Sequence, residues 1–290
     1  MGRLISYSVD LHMHSCFSDG LHTPAELVEQ ARKLRLETVA LCDHDTVDGL
    51  AVMEKAVLDT AEGAPPLRFV KCVELSCGAE ANIHLLGYHV DAQNEELLSE
   101  MEAARERRLD RMGKMIRRLE GLGVLLSEEA QARLLIPGTG RAHLARELIA
   151  AGVVNTMQQV FERYLDVGRP GYEPMEKLTA LEGVQLLRRA GAVPVLAHPM
   201  RLRMGEEARL ALMEELAAHG LMGVEAWHPS VTGRQGVRLE RWARSRRLLV
   251  TGGSDYHGEA NSSVAMGRMP SGWNSWQADT ENLLQAGAMA

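Results

Sequence analysis

DLHMHSCFSDG, residues 10–20, decides how this chain is read. It closes the run ISYSVDL (residues 5–11), whose alternation is that of a strand, and it then presents His12 and His14 two residues apart. That spacing puts both imidazoles on one face of an extended chain. Asp19 follows in the turn-forming SDG. Alone, such a pair is weak evidence, because a histidine near a strand end is more often a hydrogen-bonded core residue. Further motifs follow in order, each after an apolar run: CDHD (42–45), VELS (73–76), IHLLGY (83–88), LAHP (196–199) and GGSDYH (252–257). Together they supply nine candidates, His12, His14, Asp19, His44, Glu74, His84, His198, Asp255 and His257. Imidazoles mixed with carboxylates suit Zn, Mn or Fe(II) better than Ca or a thiolate site.

The other histidines, His22, His89, His219 and His228, lack such motifs and read as surface or packing residues. Asp43 and Asp45 flank His44 and are candidates to accept a hydrogen bond from its ring, which would fix the tautomer. Strands are predicted at 5–11, 38–42, 68–76, 82–90, 193–197, 223–227 and 248–253, mostly separated by helical patterns. That alternation predicts a parallel sheet built from βα units. Two helix starts are marked by capping boxes, Thr23 with Glu26 and Thr179 with Glu182. Between residues 93 and 174 the alternation stops, and 94–122 reads as one long helix rich in Arg, Glu, Leu and Met, with two shorter helices after it.

These motifs resemble those of the polymerase-and-histidinol-phosphatase (PHP) family of metal-dependent phosphoesterases. The resemblance covers nearly the whole chain and is closest to the stand-alone branch acting on nucleotides and short RNA 5′ ends. That branch carries an arginine-x-histidine motif in a helical insert, here Arg141-Ala142-His143, before a stretch matched by YLDVGRPGY (164–172). The resemblance implies an α/β fold, a distorted seven-stranded (β/α)7 barrel formed by residues 1–92 and 175–290. Residues 93–174 would be a helical cap over its mouth. It implies three divalent ions, Mn foremost with Fe or Zn as alternatives. His12, His14, Glu74 and Asp255 would hold the first ion, Glu74, His84 and His198 the second, and Asp19, His44 and His257 the third. A hydroxide bridging two ions would attack phosphorus, with Asp19 and His44 near the substrate and Arg141 and His143 gripping a neighbouring phosphate.

Composition narrows the function classes. With 290 residues, 46% hydrophobic and 24% charged, the chain is ordinary for a globular enzyme. A net charge of −7 argues against coating nucleic acid through bulk electrostatics. Four cysteines without zinc-finger spacing or secretory context predict reduced thiols and a cytoplasmic location. No apolar run approaches a membrane span. The expected substrates are a nucleoside 3′,5′-bisphosphate and/or a short 5′-phosphorylated single strand, with no membrane and no obligate protein partner. The competing readings are a histidinol-phosphate phosphatase, which lacks the arginine-x-histidine insert, and a non-catalytic metal-binding module of the same family. The basic run Arg105, Arg107, Arg108, Arg111, Lys114, Arg117 and Arg118 is interleaved with acids at helical spacing and reads mostly as a salt-bridged solvated face.

Overall fold

The computed structural model describes residues 4–59, 65–78, 83–136, 139–258 and 264–287. The chain divides into two units, residues 1–98 with 178–290 and residues 99–177, where the sequence division places the breaks at 92 and 174. The elements of the first half are β1 (Leu4–Ser6), β2 (Val9–Met13), α1 (Pro24–Lys33), β3 (Thr38–Leu41), α2 (Asp48–Leu58), β4 (Arg68–Lys71), β5 (Glu74–Cys77) and β6 (Ile83–Tyr88). Helices α3 (Glu95–Gly121), α4 (Glu128–Leu134), α5 (Arg141–Ala150) and α6 (Met157–Val160) follow, and α6 runs into a π-helical turn at Phe161–Leu165. The rest comprises α7 (Ala180–Arg189), β7 (Val193–Leu196), a 3-10 turn (Pro199–Arg201), α8 (Glu206–Ala218), β8 (Gly223–Trp227), α9 (Gly233–Ser245), β9 (Leu249–Gly252), β10 (Arg268–Pro270) and α10 (Trp276–Gly287).

The first unit is a mixed α/β fold, and its strands differ from the expected seven-stranded parallel barrel. Ten strands among the described residues form three small sheets, β1-β10, β2-β3-β4 and β5-β6-β7-β8-β9. The run 68–76, expected as one strand, is two: β4 pairs with β3, and β5 pairs with β6. The chain changes sheet at Cys72 and Val73. Strand β6 is antiparallel to both β5 and β7. The physical reason is the short link after Cys77, since a parallel return needs about a dozen residues of crossover. Only β7, β8 and β9, joined through α8 and α9, keep the parallel βα pattern in this sheet. Isolated bridges, Met13 to Tyr256 and His44 to Glu74, connect the three- and five-stranded sheets without merging them.

These bridges bring the ends of β2, β3, β5 and β9 together. The amide of Asp255 donates to the carbonyl of His12 (2.9 Å), and that of Glu74 to the carbonyl of Asp43 (3.2 Å). Close approach of β9 to β2 requires Gly253, because a Cβ there would overlap that of His12 and lie 2.5 Å from the His12 nitrogen. Asp10, fully buried, clamps the same junction. Its carboxylate accepts from the Ser254 amide (2.8 Å), the Ser254 hydroxyl (2.5 Å) and the Gly267 amide (2.7 Å).

Both predicted capping boxes form, Thr23 with Glu26 opening α1 and Thr179 with Glu182 opening α7. The second unit has its own apolar core. Met112, Met115, Ile116 and Leu119 of α3 pack with Leu134, Leu144, Leu148, Val160 and Leu165. Spacings of three and four in this set are those an amphipathic helix face requires.

Candidate metal centre

The nine ligand-type residues of the sequence come together at the strand ends of the first unit. His12 and His14 leave β2 on one face and are fully buried, as is Glu74 at the first position of β5. His84 lies on β6, His198 follows β7, and Asp255 and His257 follow β9. Glu74 is the hub. Its Oε1 lies 2.8 Å from His84 Nδ1 and 2.9 Å from His198 Nε2. Its Oε2 lies 3.3 Å from His12 Nε2, 3.2 Å from His14 Nε2 and 3.1 Å from His44 Nδ1. The two oxygens of one carboxylate thus face two different sets of imidazoles.

Asp255 Oδ1 lies 3.2 Å from His14 Nε2 and 3.6 Å from His12 Nε2. Asp19 Oδ1 lies 3.1 Å from His257 Nε2 and 3.9 Å from both His14 Nδ1 and His44 Nε2. Three groups have ligand atoms mutually within 4.8 Å: His12, His14, Glu74 and Asp255; His44, Glu74 and His84; and His14, Asp19, His44 and His257. The first is the set expected for one ion. The others redistribute His14 and His44 relative to the expected sets, and His198 joins through Glu74 Oε1.

The donor set fits divalent cations. Ligand atoms about 2.0–2.2 Å from one ion stand roughly 3.0–3.5 Å from each other. The distances around Glu74 Oε2 fall in that range, yet this buried oxygen accepts no hydrogen bond, and His14 Nδ1, His44 Nδ1 and His198 Nδ1 are likewise buried without a hydrogen-bond partner. Leaving buried polar atoms unsatisfied is costly unless something else binds there. Electrostatics point the same way. Burial opposes charge on Glu74, but His44, His84 and His12 outweigh it and hold the carboxyl well below its usual range. Burial likewise opposes a proton on His14, but Asp255 and Glu74 raise it to about 10. Burial pushes His44 down to about 3. Without a cation the acids recruit protons onto their neighbours, and the neutral His44 is ready to ligate.

The structure also shows residues that the motifs do not contain. Glu225, at the centre of β8 and fully buried, accepts from His12 Nδ1 (2.9 Å) with one oxygen and from the His198 amide (2.8 Å) with the other. With the proton on Nδ1, His12 presents the Nε2 lone pair to the cluster. The signal was legible: GVEAW sets one acid inside an otherwise apolar strand. His228, read as a packing residue, reaches the cluster instead. Its Nδ1 accepts from the Ser230 amide (3.0 Å), so its neutral ring turns Nε2–H toward Asp255 Oδ2 at 3.3 Å. Arg201 of the 3-10 turn pairs with the same oxygen at 2.6 Å.

Asp43 serves another role than the expected one. It takes the Ser15 amide (2.7 Å), the Ser15 hydroxyl (2.6 Å) and the Ser18 hydroxyl (2.6 Å), which holds the loop carrying His14 and Asp19. Asp45 accepts from the Ser76 amide at 2.7 Å. Two site residues have left-handed backbones, His198 (φ 27°) and Asp255 (φ 53°), a strain of the kind stored at functional sites. His22, His89 and His219 stay outside the cluster, His89 facing the Leu283 carbonyl and His219 its own helix.

Arg141 and His143 lie in the second unit at the start of α5. His143 Nδ1 accepts from the Gly140 amide at 3.1 Å, so a neutral ring carries its proton on Nε2. Arg141 donates to the Leu165 carbonyl at 3.3 Å.

The described residues include no helix long and apolar enough to cross a membrane. Among known proteins, the 5′-3′ exoribonuclease of Haemophilus influenzae is 32% identical over 252 residues, 86% of this chain and 89% of that protein. The 3′,5′-nucleoside bisphosphate phosphatase of Chromobacterium violaceum is 32% identical over 252 residues, 86% of this chain and 87% of its own. A solved structure from Bifidobacterium adolescentis, assigned as a metal-dependent phosphoesterase, superposes with a TM-score of 0.82 at 31% identity over 96% of each chain. The PHP domain profile matches residues 10–167, and with relatives covering most of its length on the same ligand framework, the chain belongs to the PHP domain family.

Proposed function

We propose that this protein is a metal-dependent hydrolase of nucleotide phosphoesters, taking a nucleoside 3′,5′-bisphosphate, a short 5′-phosphorylated single strand, or both. The observation that carries it is Glu74, whose oxygens face separate imidazole sets, as a carboxylate shared between two cations would. Relatives named as a bisphosphate phosphatase and a 5′-3′ exoribonuclease supply the substrate class. The order of the strands and the two bridges supports a distorted, opened barrel, to which the helical unit 99–177 would be a substrate-binding insert.

In this reading His12, His14, Glu74 and Asp255 hold one ion, Glu74, His84 and His198 a second, and Asp19, His44 and His257 a third. The mixed nitrogen and oxygen donors favour Mn, with Fe and Zn also compatible. Bound cations would supply Lewis-acid charge to the phosphoryl oxygens and an activated water. The chain's own residues set the geometry. Glu225 fixes the His12 ring, Asp43 and Asp10 fix the loops on which His14, Asp19 and Asp255 ride, and His228 and Arg201 hold the outer oxygen of Asp255. Arg141 and His143 bind the substrate's terminal phosphate, the guanidinium through paired hydrogen bonds and the ring through Nε2–H. A cytoplasmic location fits the nucleotide substrates and the four free cysteines, Cys16, Cys42, Cys72 and Cys77.

The test is a phosphate- and nucleotide-release screen with Mn²⁺ against adenosine 3′,5′-bisphosphate, AMP, histidinol phosphate and 5′-phosphorylated di- to pentanucleotides. Turnover of the bisphosphate or the oligonucleotides, abolished by chelation, is expected. Turnover of histidinol phosphate alone, or of nothing in a metal-loaded protein, overturns the proposal.

A further inference from the structure

Helix α3 carries a run of basic residues that the sequence reads as paired surface charges, and four fit that reading. Arg105 pairs with Glu102, Arg107 with Glu100, Lys114 with Asp110 and Arg118 with Glu173. Arg111 does not. Its half-buried guanidinium makes no ion pair among the described residues, and its Nε donates only to the Glu173 backbone carbonyl at 2.6 Å. The Glu173 carboxylate is taken by Arg118. Instead, Arg111 sits over the Tyr172 ring with Cζ 5.3 Å from its centre. The Cζ of Arg141 lies 6.0 Å from the centre of the same ring and 5.7 Å from that of Phe161. Burial, and next the charge of Arg141, push Arg111 down to about 10. Two guanidinium groups beside one ring repel each other, and ring contact recovers only about 0.5–2 kcal/mol per cation. An anion bound between them would reverse the sign of that interaction.

We propose that Arg111 is a specificity-determining residue that joins Arg141, both seated on Tyr172, in a two-guanidinium clamp for a terminal phosphate monoester. This rests on the phosphoesterase reading above and names the feature of the substrate it selects. A monoester offers three terminal oxygens and nearly two negative charges, which two planar forks and the His143 Nε2–H match. An internal diester offers one charge and two free oxygens, and a 5′-hydroxyl offers neither. The clamp therefore selects the phosphorylated end of a nucleotide or short strand.

The experiment pairs two readouts on wild type, Arg111→Met, Arg111→Lys and Arg141→Ala. Calorimetry measures AMP binding to the metal-free protein, and Mn²⁺-supported hydrolysis compares a 5′-phosphorylated dinucleotide with its 5′-hydroxyl counterpart. Arg111→Met is expected to weaken AMP binding about tenfold to hundredfold, the scale of a lost charge-assisted contact. It should raise KM for the phosphorylated dinucleotide at least tenfold more than for the 5′-hydroxyl one. Arg111→Lys, which keeps the charge but loses the fork, should fall between; if the Met variant does not fold, the Lys variant carries the test in the same direction. AMP binding equal to wild type, or equal losses on both dinucleotides, overturns the clamp. If wild type hydrolyses neither dinucleotide, the phosphoesterase reading falls, and the calorimetric comparison alone decides whether Arg111 binds phosphate.

Discussion

Replacing Glu225 by Gln removes one charge with almost no change in size, and the hydrogen bonds at this position dictate how His12 responds. One Glu225 oxygen accepts from His12 Nδ1 at 2.9 Å and the other from the His198 amide at 2.8 Å. A carboxylate satisfies two donors at once, whereas an amide has one oxygen and one NH2. The backbone N–H of His198 cannot change character, so the Gln oxygen turns to it and the NH2 faces His12. His12 then moves its proton to Nε2, the atom 3.3 Å from Glu74 Oε2 and 3.1 Å from His14 Nε2. The lone pair proposed to bind a cation is lost from the favoured tautomer. Removing such a supporting partner typically costs about 10–100-fold in metal affinity, or roughly 1.4–2.8 kcal/mol. The assay is a Mn²⁺ titration of phosphodiesterase activity together with calorimetric metal binding to the chelator-stripped protein. The half-saturating metal concentration should rise by that factor, kcat at saturating metal should fall less, and the stripped protein should melt within a few degrees of wild type. Metal affinity within twofold of wild type would refute the argument that Glu225 sets the His12 tautomer.

Glu74→Gln should reduce hydrolysis by more than tenfold at any metal concentration, since one oxygen of the shared carboxylate becomes a donor; stopped metal-titration assays check it. Gly253→Ala should destabilise by about 1–3 kcal/mol or more, because its methyl group would overlap His12; thermal melts and metal content should fall together. AMP binding in the second unit, followed by calorimetry, should weaken as pH drops through about 6, where the phosphate takes up its second proton. The sign follows from the ligand: both arginines remain charged there, so only the nucleotide loses charge, and affinity is full above that pH and lost below it.

The metal cluster was legible in the sequence because each ligand type sits in a short motif next to an apolar run, and local order alone puts it at a strand end. The sheet arrangement was less so. Residues 68–76 read as one strand because every local preference is met along it. Whether that run stays in one sheet depends on partners far away in sequence, and the switch at Cys72 and Val73 leaves no composition signal. The antiparallel β6 could have been inferred from the short link after Cys77, since link length restricts strand direction. Asp43 was expected on a ring and serves two serines, because adjacency in sequence says little about where a carboxylate points after a strand end.

Supporting residues were harder to see than ligands for a physical reason. A ligand is marked by its side-chain chemistry, whereas Glu225, His228 and Arg111 acquire their roles from the groups that stand opposite them. Glu225 lies 213 residues from His12 and 27 from His198 along the chain, and only the pairing of β8 between β7 and β9 brings it to both. Arg111 has the same helical spacing from acids as its neighbours and would be paired on a bare helix. Its environment differs because the chain after α6 returns past α3, gives Arg111 the Glu173 carbonyl and gives the Glu173 carboxylate to Arg118. A solvated-face reading is therefore sound for the helix as a statistical object and fails at the one position where tertiary structure withholds the counter-charge. Unbalanced charge at a half-buried position is thus a stronger pointer to a ligand than charge itself.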